Sequence, residues 1–193
     1  MKTSIIDVIS DSIAVKEALL VDDKLLAQIE KLALNCLESL RSNCKIIFAG
    51  NGGSFADAQH LSAEFTSRFL FDRAPMASLA LGTNNSAISA IGNDYGFEEV
   101  FARELAGVAK PQDVFIPIST SGTSPNILAA VKQAQLLGLA PVALTGLDGG
   151  KLANLCECIC VPSNETARIQ ECHILIGHII CGIVEYHYFK EMQ

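Results

Sequence analysis

The sequence has few basic residues, and they are scattered. Of its 193 residues only 14 are Lys or Arg, against 21 Asp or Glu, which gives a formal net charge of -7. A nucleic-acid surface needs clustered positive charge to meet the phosphate backbone, and no run of Lys or Arg is present. We therefore do not expect nucleic acid among the partners of this protein.

A leader segment and a long apolar run are also missing. The segment from Met1 to Asp11 alternates Ile and Val with Asp and Ser, unlike the charged start and apolar middle of a signal peptide. The most apolar stretch, Ile174 to Val184, spans about 11 residues. A membrane-spanning helix needs roughly 20. We therefore expect a buried helix there, a cytoplasmic protein, and no membrane partner.

Paired cysteines are absent as well. The 7 cysteines form no CxxC motif, and an odd number suits a reducing compartment better than a disulfide scaffold. Cys156, Cys158 and Cys160 alternate, so their thiols would face one side of a strand. Three such thiols could hold a soft metal, but free Cys is among the most buried residue types. We expect these three to belong to the core.

Half of the residues are apolar, which is enough for one well-packed core in a chain too short for two comfortable domains. Short apolar runs followed by turn residues predict five strands buried on both faces: Lys45–Gly50, Met76–Leu81, Val114–Ser119, Pro141–Thr145 and Cys158–Val161. Helical patterns lie between them: Ser54–Arg68, one or two segments over Asn84–Gly107, Ser124–Leu137 and Gly149–Leu155. This alternation predicts the α/β class, with a doubly wound, flavodoxin-like, five-stranded parallel sheet.

Two further helical patterns flank this unit, Ser12–Arg41 before it and Thr166–Phe189 after it. We expect one domain over residues 1–193, with a helical segment at about 1–43, an α/β core at about 44–163 and a final helix at about 166–190. So apolar a chain has more apolar surface than one small core readily hides. We therefore expect a homo-oligomer in which the flanking helices pack between subunits.

The first motif with a chemical meaning is the segment Gly50-Asn51-Gly52-Gly53-Ser54, between a predicted strand and a predicted helix. Its glycines allow a sharp turn and a close approach to a ligand, and Ser54 occupies the expected N-cap position. The spacing matches neither a dinucleotide fingerprint nor a P-loop. The segment predicts an anion site at a helix N-terminus, with a plain strand-to-helix turn as the alternative.

The second motif runs from Ser119 to Ser124, after the third predicted strand, with Pro125 at the first turn of the next helix. It offers five hydroxyl groups around one glycine, Gly122. A cap needs only one hydroxyl, whereas several hydroxyls and helix amides can bind all the oxygens of a phosphate monoester. The segment therefore predicts a phosphate site.

Candidate acid and base residues fall on the predicted helices. His60 and Glu64 are four residues apart and share a helix face, while Gln170, Ile174 and His178 repeat at four-residue spacing in the last helix. A His in apolar surroundings is commonly a core residue, and Glu64 alone could face the solvent. Two phosphate-type loops with a carboxylate and an imidazole are, together, the tools for moving a proton between adjacent carbons of a sugar phosphate.

These motifs together resemble the phosphoheptose isomerases of the SIS family. The similar segments cover nearly the whole chain in order: Phe48–Ser54, His60–Arg68, Ile91–Phe97, Ser119–Ser124, Leu144–Gly150 and Ala167–His178. The resemblance implies an isomerase that converts sedoheptulose 7-phosphate to D-glycero-D-manno-heptose 7-phosphate. This is the first step towards nucleotide-activated heptose for lipopolysaccharide or capsule. It also implies a homotetramer whose small-molecule partner is a sugar phosphate.

The resemblance also implies residue roles. Glu64 and His178 match the acid/base pair. The implied substrate contacts are Asn51, Gly52, Gly53, Ser54, Glu64, Asn93, Asp94, Ser119, Thr120, Ser121, Ser124 and Gln170. Some members bind one zinc ion per subunit through residues that match His60, Glu64, Gln170 and His178. Ala167 stands where certain relatives have an acidic residue, so a sugar-hydroxyl contact from that side chain must be absent or replaced.

Two alternatives remain open at this point. An isomerase of arabinose 5-phosphate or a hexose 6-phosphate would share the phosphate loop, although the segment Arg168-Ile169-Gln170-Glu171 favours the heptose isomerases. A non-catalytic SIS binding module is the other alternative, since a relative that binds the bacterial replication initiator shares much of this pattern. That relative lacks a glutamate at the position of Glu64, so Glu64 favours an enzyme. The residues leave open whether Glu64 acts as base or as zinc ligand.

Overall fold

The structure is a computed structural model that describes residues 2–190. Its helices are α1 (Lys2–Leu20), α2 (Asp23–Arg41), α3 (Gly53–Thr66), α4 (Asn85–Tyr95), α5 (Val100–Val108), α6 (Pro125–Leu136) and α7 (Thr166–Phe189). Its strands are β1 (Ile46–Gly50), β2 (Ser78–Ala80), β3 (Val114–Ser119), β4 (Val142–Thr145) and β5 (Glu157–Cys160). Short 3₁₀ turns lie at Phe97–Glu99 and Leu152–Asn154.

The five strands form one parallel sheet in the order β2-β1-β3-β4-β5, which confirms the predicted fold class. The order reverses between β1 and β3, and ligands of such sheets bind beyond the strand ends at that point. The prediction of burial on both faces is correct for β1 and β4 and nearly so for β3. It is wrong for β2 and β5, which are half-exposed because each is an edge strand. The strand β5 also begins one residue before the predicted Cys158.

Helices cover both faces of the sheet, because alternate strand residues point to opposite sides. Ile46 and Phe48 belong to the core formed with α2, α3 and α7. Ile47 and Ala49 belong to the core formed with α5 and α6. The helices α2 and α7 are therefore layers of the protomer's own core rather than additions outside the sheet unit.

The predicted N-terminal helical pattern proves to be two helices. Asp22 interrupts it, because its carboxylate accepts a hydrogen bond of 3.0 Å from the amide of Leu25 and caps the start of α2. The helix α1 also begins at Lys2, well before the predicted Ser12. The segment predicted as helical from Gly149 to Leu155 contains only a single 3₁₀ turn.

The helix α7 has the bounds predicted from the sequence. By length and composition it is the one candidate membrane span among the residues that the structure describes, and half of its most apolar window is buried inside the protein. The apolar run Ile174–Val184 is only part of this helix, and on its own it is too short to indicate a membrane span. Because α7 packs on α2, α3 and the sheet, its apolar residues are those of a core helix.

All seven cysteines are free thiols. Cys156 and Cys158 pack against the core on the α6 side, and Cys160 lies 3.3 Å from the hydroxyl of Thr145. These three stay half-buried because they lie on the edge strand β5 or just before it. The prediction of core cysteines is therefore correct only in part.

His173 joins α7 to the carboxyl end of β4. Its side chain is fully buried, and its Nε2 lies 3.1 Å from the carbonyl oxygen of Thr145. A neutral ring can donate that hydrogen bond, whereas its Nδ1 has no partner within residues 2–190. Burial lowers the pKa of His173 to about 4. The ring is therefore neutral in the folded protein at ordinary pH.

We expect His173→Gln to flatten the pH dependence of stability in mild acid. The unfolded wild type binds a proton below about pH 6.5. The folded protein resists that proton down to about pH 4. The free energy of unfolding should therefore fall by about 3 kcal/mol as pH falls through this window. Gln keeps a donor for Thr145 but does not titrate. Urea unfolding of both proteins across the window measures the effect, and parallel pH profiles would contradict it.

Candidate active site

The carboxyl ends of β1 and β3 lie side by side and carry the two loops predicted from the sequence. Asn51, just after β1, and Asn126, in the first turn of α6, hydrogen-bond each other twice, at 2.8 and 2.9 Å. Each amide thus donates to the other's oxygen. This pair holds the two loops together at the reversal point of the sheet.

The first loop opens α3 without a side-chain cap. The helix begins at Gly53, with Gly52 as the N-cap residue at a φ of 55°, so the prediction of Ser54 as the cap is wrong. Ser54 lies in the first turn and is buried. Because no side chain caps the helix, its first amides stay available to an anion.

The second loop gathers hydroxyl groups at the start of α6. The hydroxyl oxygens of Ser119 and Ser124 lie 3.2 Å apart. Ser124 is the N-cap residue by position, yet its side chain makes no cap hydrogen bond. The hydroxyl of Ser121 accepts hydrogen bonds from the amide and the hydroxyl of Thr123, at 3.3 and 3.0 Å. This arrangement is typical of a phosphate site, because the hydroxyls are not consumed by the helix.

The segment after β4 supports the second loop through its backbone. The amide of Gly146 donates to the carbonyl of Thr120 at 3.1 Å, and the amide of Leu152 donates to the carbonyl of Gly122 at 3.0 Å. Gly122 has a φ of 62°, and a Cβ there would overlap the carbonyl of Gly149. The shape of the second loop therefore depends on glycine at this position.

The predicted acid and base residues form a cluster between α3 and α7. The Nε2 atoms of His60 and His178 lie 2.8 Å apart, and the Nε2 of His60 lies 3.4 Å from the Oε1 of Glu64. One ligand atom from each of the three residues lies within 4.8 Å of the others. Among residues 2–190 this is the only group of His, Cys, Asp and Glu side chains arranged to hold a metal ion. The soft-metal alternative at Cys156, Cys158 and Cys160 is therefore not supported.

Close packing of the two helices brings this cluster together. Gly177, the residue before His178, has no Cβ, and Leu61 of α3 fills that space. The ring of His178 then stacks on the ring of Phe69, at 5.4 Å between centroids and 24° between planes. The imidazole thus lies between α3 and the segment that follows it.

Gln170 lies about two turns before His178 on α7, beside the start of α3. A Cβ at Gly53 would overlap the carboxamide of Gln170, so the glycine makes room for that side chain. Nearby on α3 lies Asp57, a buried residue whose Oδ2 has no partner among the described residues. Burial raises the pKa of Asp57, although Gln170 and His60 oppose that effect.

Asn93 and Asp94 do not join the cluster in the protomer. Both are exposed on α4, where the amide nitrogen of Asn93 donates to the carboxylate of Asp94 at 2.8 Å. With neighbouring residues of α4 they line an open depression of about 600 Å³. Their predicted contact with substrate stays a prediction.

The motif around Gln170 serves two purposes. Arg168 pairs with Glu171 through a hydrogen bond of 2.9 Å and also donates to the carbonyl of Val8 in α1. Glu171 accepts a hydrogen bond of 2.6 Å from Ser12 in α1. Arg168 and Glu171 therefore anchor α1 to α7, while Gln170 faces the site.

Sequence reasoning missed four residues that shape this site. Asp57 was detectable, because it precedes His60 by three residues and shares its helix face. Asn126 directly follows the proline that opens α6, but nothing in the sequence indicates its pairing with Asn51. Phe69 and Arg73 lie in an irregular segment, where no periodicity indicates their contacts.

Comparison with known proteins gives consistent matches. A family model described as a SIS domain matches residues 14–146. The phosphoheptose isomerase of Aneurinibacillus thermoaerophilus is 54% identical over 183 residues, 94% of this chain and 92% of the relative. A phosphoheptose isomerase structure from Francisella tularensis superposes with a TM-score of 0.89 at 34% identity, covering 95% and 97% of the two chains. One from Neisseria gonorrhoeae gives 0.87 at 39% identity, covering 95% and 98%.

We expect Gly177→Ala to lower the free energy of unfolding by about 1–3 kcal/mol, the usual cost of overpacking a core. Its Cβ would lie 2.9 Å from Cγ of Leu61, which is fully buried and cannot move into solvent. Gly107→Ala in α5 is the matched control, because nothing lies within 4 Å of that position. The control should leave stability unchanged or raise it by up to about 1 kcal/mol. Urea unfolding measures both, and equal effects would contradict the close-packing argument.

Proposed function

The chain belongs to the phosphoheptose isomerases of the SIS family, and from that premise we propose that it converts sedoheptulose 7-phosphate to D-glycero-D-manno-heptose 7-phosphate. The observation that carries the proposal is the cluster in which His60 and Glu64, on the helix that begins at the first loop, meet His178 of α7. From Gly53 to His60 the helix α3 rises about 10 Å. An open-chain seven-carbon sugar phosphate has a similar length.

The proposed binding mode separates the two ends of the substrate. The hydroxyls of Ser119, Thr120, Ser121 and Ser124, with the amides at the start of α6, receive the phosphate. Asn51, Gly52, Gly53, Ser54 and Gln170 border the sugar chain, and Asn93 and Asp94 complete the proposed contacts. These polar groups orient the substrate so that its carbonyl end lies near Glu64 and His178.

The proposed reaction moves one proton between adjacent carbons. The carboxylate of Glu64 removes a proton from C1 of the open-chain ketose, and the electron pair forms a C1–C2 double bond as the C2 oxygen takes up negative charge. His178 donates a proton to the oxygen at C2 and receives one from the hydroxyl at C1. Protonated Glu64 then gives its proton to C2, and the C1 oxygen, having lost its proton, becomes the carbonyl oxygen of the aldose, so that atoms and charge balance and no other reactant is required.

His60, Glu64 and His178 fit a zinc ion, because two imidazole nitrogens and a carboxylate are ligands that zinc prefers. We propose one zinc per subunit, with Gln170 as the fourth ligand. When bound, such an ion polarises a carbonyl group and stabilises negative charge on oxygen. Gln170, whose carboxamide lies against Gly53, would need to turn its side chain towards these three residues to complete the set.

A non-catalytic binding module is the second candidate function. It would share the phosphate loops but would have no use for a carboxylate beside two imidazoles. Glu64 is 20% exposed in its side chain and points to His60 rather than into solvent. This placement favours the isomerase.

We also propose that the protein is a cytoplasmic homotetramer of single SIS domains that supplies heptose for lipopolysaccharide or capsule. Its seven free thiols suit a reducing compartment. The helix α1 supports association, because it exposes an apolar face at helical spacing formed by Ile5, Ile6, Val8, Ile9 and Ile13. Each of these side chains is more than half exposed. In an oligomer, a second copy of the chain would cover this face.

The first test is turnover by the purified protein. Sedoheptulose 7-phosphate should be isomerised, while arabinose 5-phosphate and hexose 6-phosphates should react poorly, as resolved by separating the products. Glu64→Gln and His178→Gln should each lower kcat by at least about 100-fold, because a general acid or base contributes about 10²–10⁴. Near wild-type turnover by Glu64→Gln would show that the base is assigned wrongly.

Metal content should be measured on the same variants. If zinc is bound as proposed, His60→Gln should lower metal content about as much as His178→Gln does, because both remove an imidazole ligand. If Glu64→Gln and His178→Gln lose turnover but all three variants keep the metal content of the wild type, these residues are not zinc ligands. The assignment of Glu64 and His178 as the proton-transfer pair would then still stand.

The second test concerns association. Sedimentation of the wild type at micromolar concentration should show a species larger than a monomer. The double variant Ile6→Glu/Ile9→Glu should dissociate, because charge on the α1 face cannot be buried without a partner. Leu136→Glu is the control, since Leu136 is an 81% exposed apolar side chain on a different helix, at the end of α6. A monomeric wild type would contradict the proposed oligomer.

A further inference from the structure

Arg73 closes the end of α3 at which Glu64 lies. Its side chain is 2% exposed. Its Nη2 donates to the carbonyl of Glu64 itself at 2.7 Å. Its Nη1 donates to the carbonyls of Phe65, Ser67 and Ala74, at 2.7, 3.0 and 3.1 Å. The last carbonyls of a helix lack partners within the helix, and the guanidinium of Arg73 supplies hydrogen-bond donors to them at the end of α3.

Glu185 binds the same segment from the side of α7. Its side chain is fully buried. Its carboxylate accepts hydrogen bonds from the amides of Phe69 and Leu70, at 2.8 and 2.7 Å, and from Nε of Arg73 at 2.9 Å. Burial opposes the charge, but these three donors together lower the pKa of Glu185 below its ordinary value. The carboxylate is therefore charged at neutral pH.

These contacts connect both members of the proton-transfer pair. Glu185 follows His178 by seven residues, so the two share one face of α7. Between them lies Phe69, whose amide is bound by Glu185 and whose ring stacks on His178. Arg73 holds the backbone of Glu64, and Glu185 holds the residue that covers His178.

We propose that Arg73 and Glu185 are positioning residues, which set the geometry between Glu64 and His178. A buried ion pair is weak evidence for a role in stability, because well-packed apolar residues often replace such a pair without loss. Here the pair instead fixes the backbone of α3 at Glu64 and the backbone of Phe69, whose ring stacks on His178. The inference rests on the proposed isomerase, and its test includes a readout that does not need turnover.

The protein contains a matched control at the opposite end of the sheet. Asp113 is likewise a fully buried carboxylate, 2.6 Å from Nζ of Lys45, and it accepts the amides of Lys45 and Lys110 at 2.9 and 2.7 Å. It lies just before β3 and next to the start of β1, away from the loops of the site. Asp113→Asn therefore loses a comparable pair without touching either catalytic element.

The experiment compares Glu185→Gln, Arg73→Lys and Asp113→Asn with the wild type. Lys keeps the charge of Arg73 but cannot span Glu185 and the carbonyls of α3. We expect kcat to fall about 10- to 100-fold in the first two variants with KM changed by no more than about twofold, because misplaced catalytic groups cost rate rather than phosphate binding. Asp113→Asn should keep kcat once the folded fraction is measured by circular dichroism.

The second readout is the proton NMR spectrum of His178, assigned by comparison with His178→Gln. We expect stacking on Phe69 to shift the ring protons of His178 upfield in the wild type. That shift should diminish in Glu185→Gln and Arg73→Lys and persist in Asp113→Asn. An unchanged shift together with kcat equal to that of Asp113→Asn would overturn the proposal. If the wild type lacks isomerase activity but the shift depends on Arg73 and Glu185, the proposed function fails and the positioning role stands.

Discussion

The close approach of α3 to α7 is the contact on which the site depends. Each helix alone carries residues of ordinary appearance, a His and a Glu on one and a Gln and a His on the other. Only when Leu61 fits against Gly177 do the two imidazoles come within 2.8 Å of each other. The core that buries Leu61, Phe65 and Ile176 therefore also builds the reactive cluster. The same contact between α3 and α7 therefore stabilises the fold and places the side chains of the candidate site.

Much of the fold follows from local pattern. Buried apolar runs predict β1 and β3 with little error, because both strands lie inside the sheet and have no solvent face. The pattern predicts the edge strands β2 and β5 less accurately. Each has a neighbouring strand on one side only and is partly exposed, so fewer of its residues need to be apolar. The break between α1 and α2 was missed because apolar residues continue at helical spacing through it, and only the side chain of Asp22 marks the boundary.

The candidate site was predictable where its residues lie on regular elements. His60 and Glu64 share a helix face by spacing, and the two loops follow strands that meet at the reversal of the sheet. The link from α3 to His178 came from family resemblance, since no spacing relates residues so far apart. Arg73 and Glu185 were not predictable, because their partners are carbonyls and amides of an irregular segment. Hydrogen bonds to backbone groups do not depend on the identity of the partner residue, so the amino-acid sequence does not reveal them.

The phosphate loops contain no Lys or Arg, and the whole chain has a formal charge of -7. A dianionic substrate is therefore not drawn in by a long-range field, and at a distance the protein repels it. At an ionic strength of about 0.1 M, dissolved salt screens that repulsion at separations beyond about 10 Å, so moderate ionic strength eases the approach of the substrate instead of hindering it. In the proposed binding mode, selection among anions would take place only at contact, through the geometry of the hydroxyl and amide groups of the two loops.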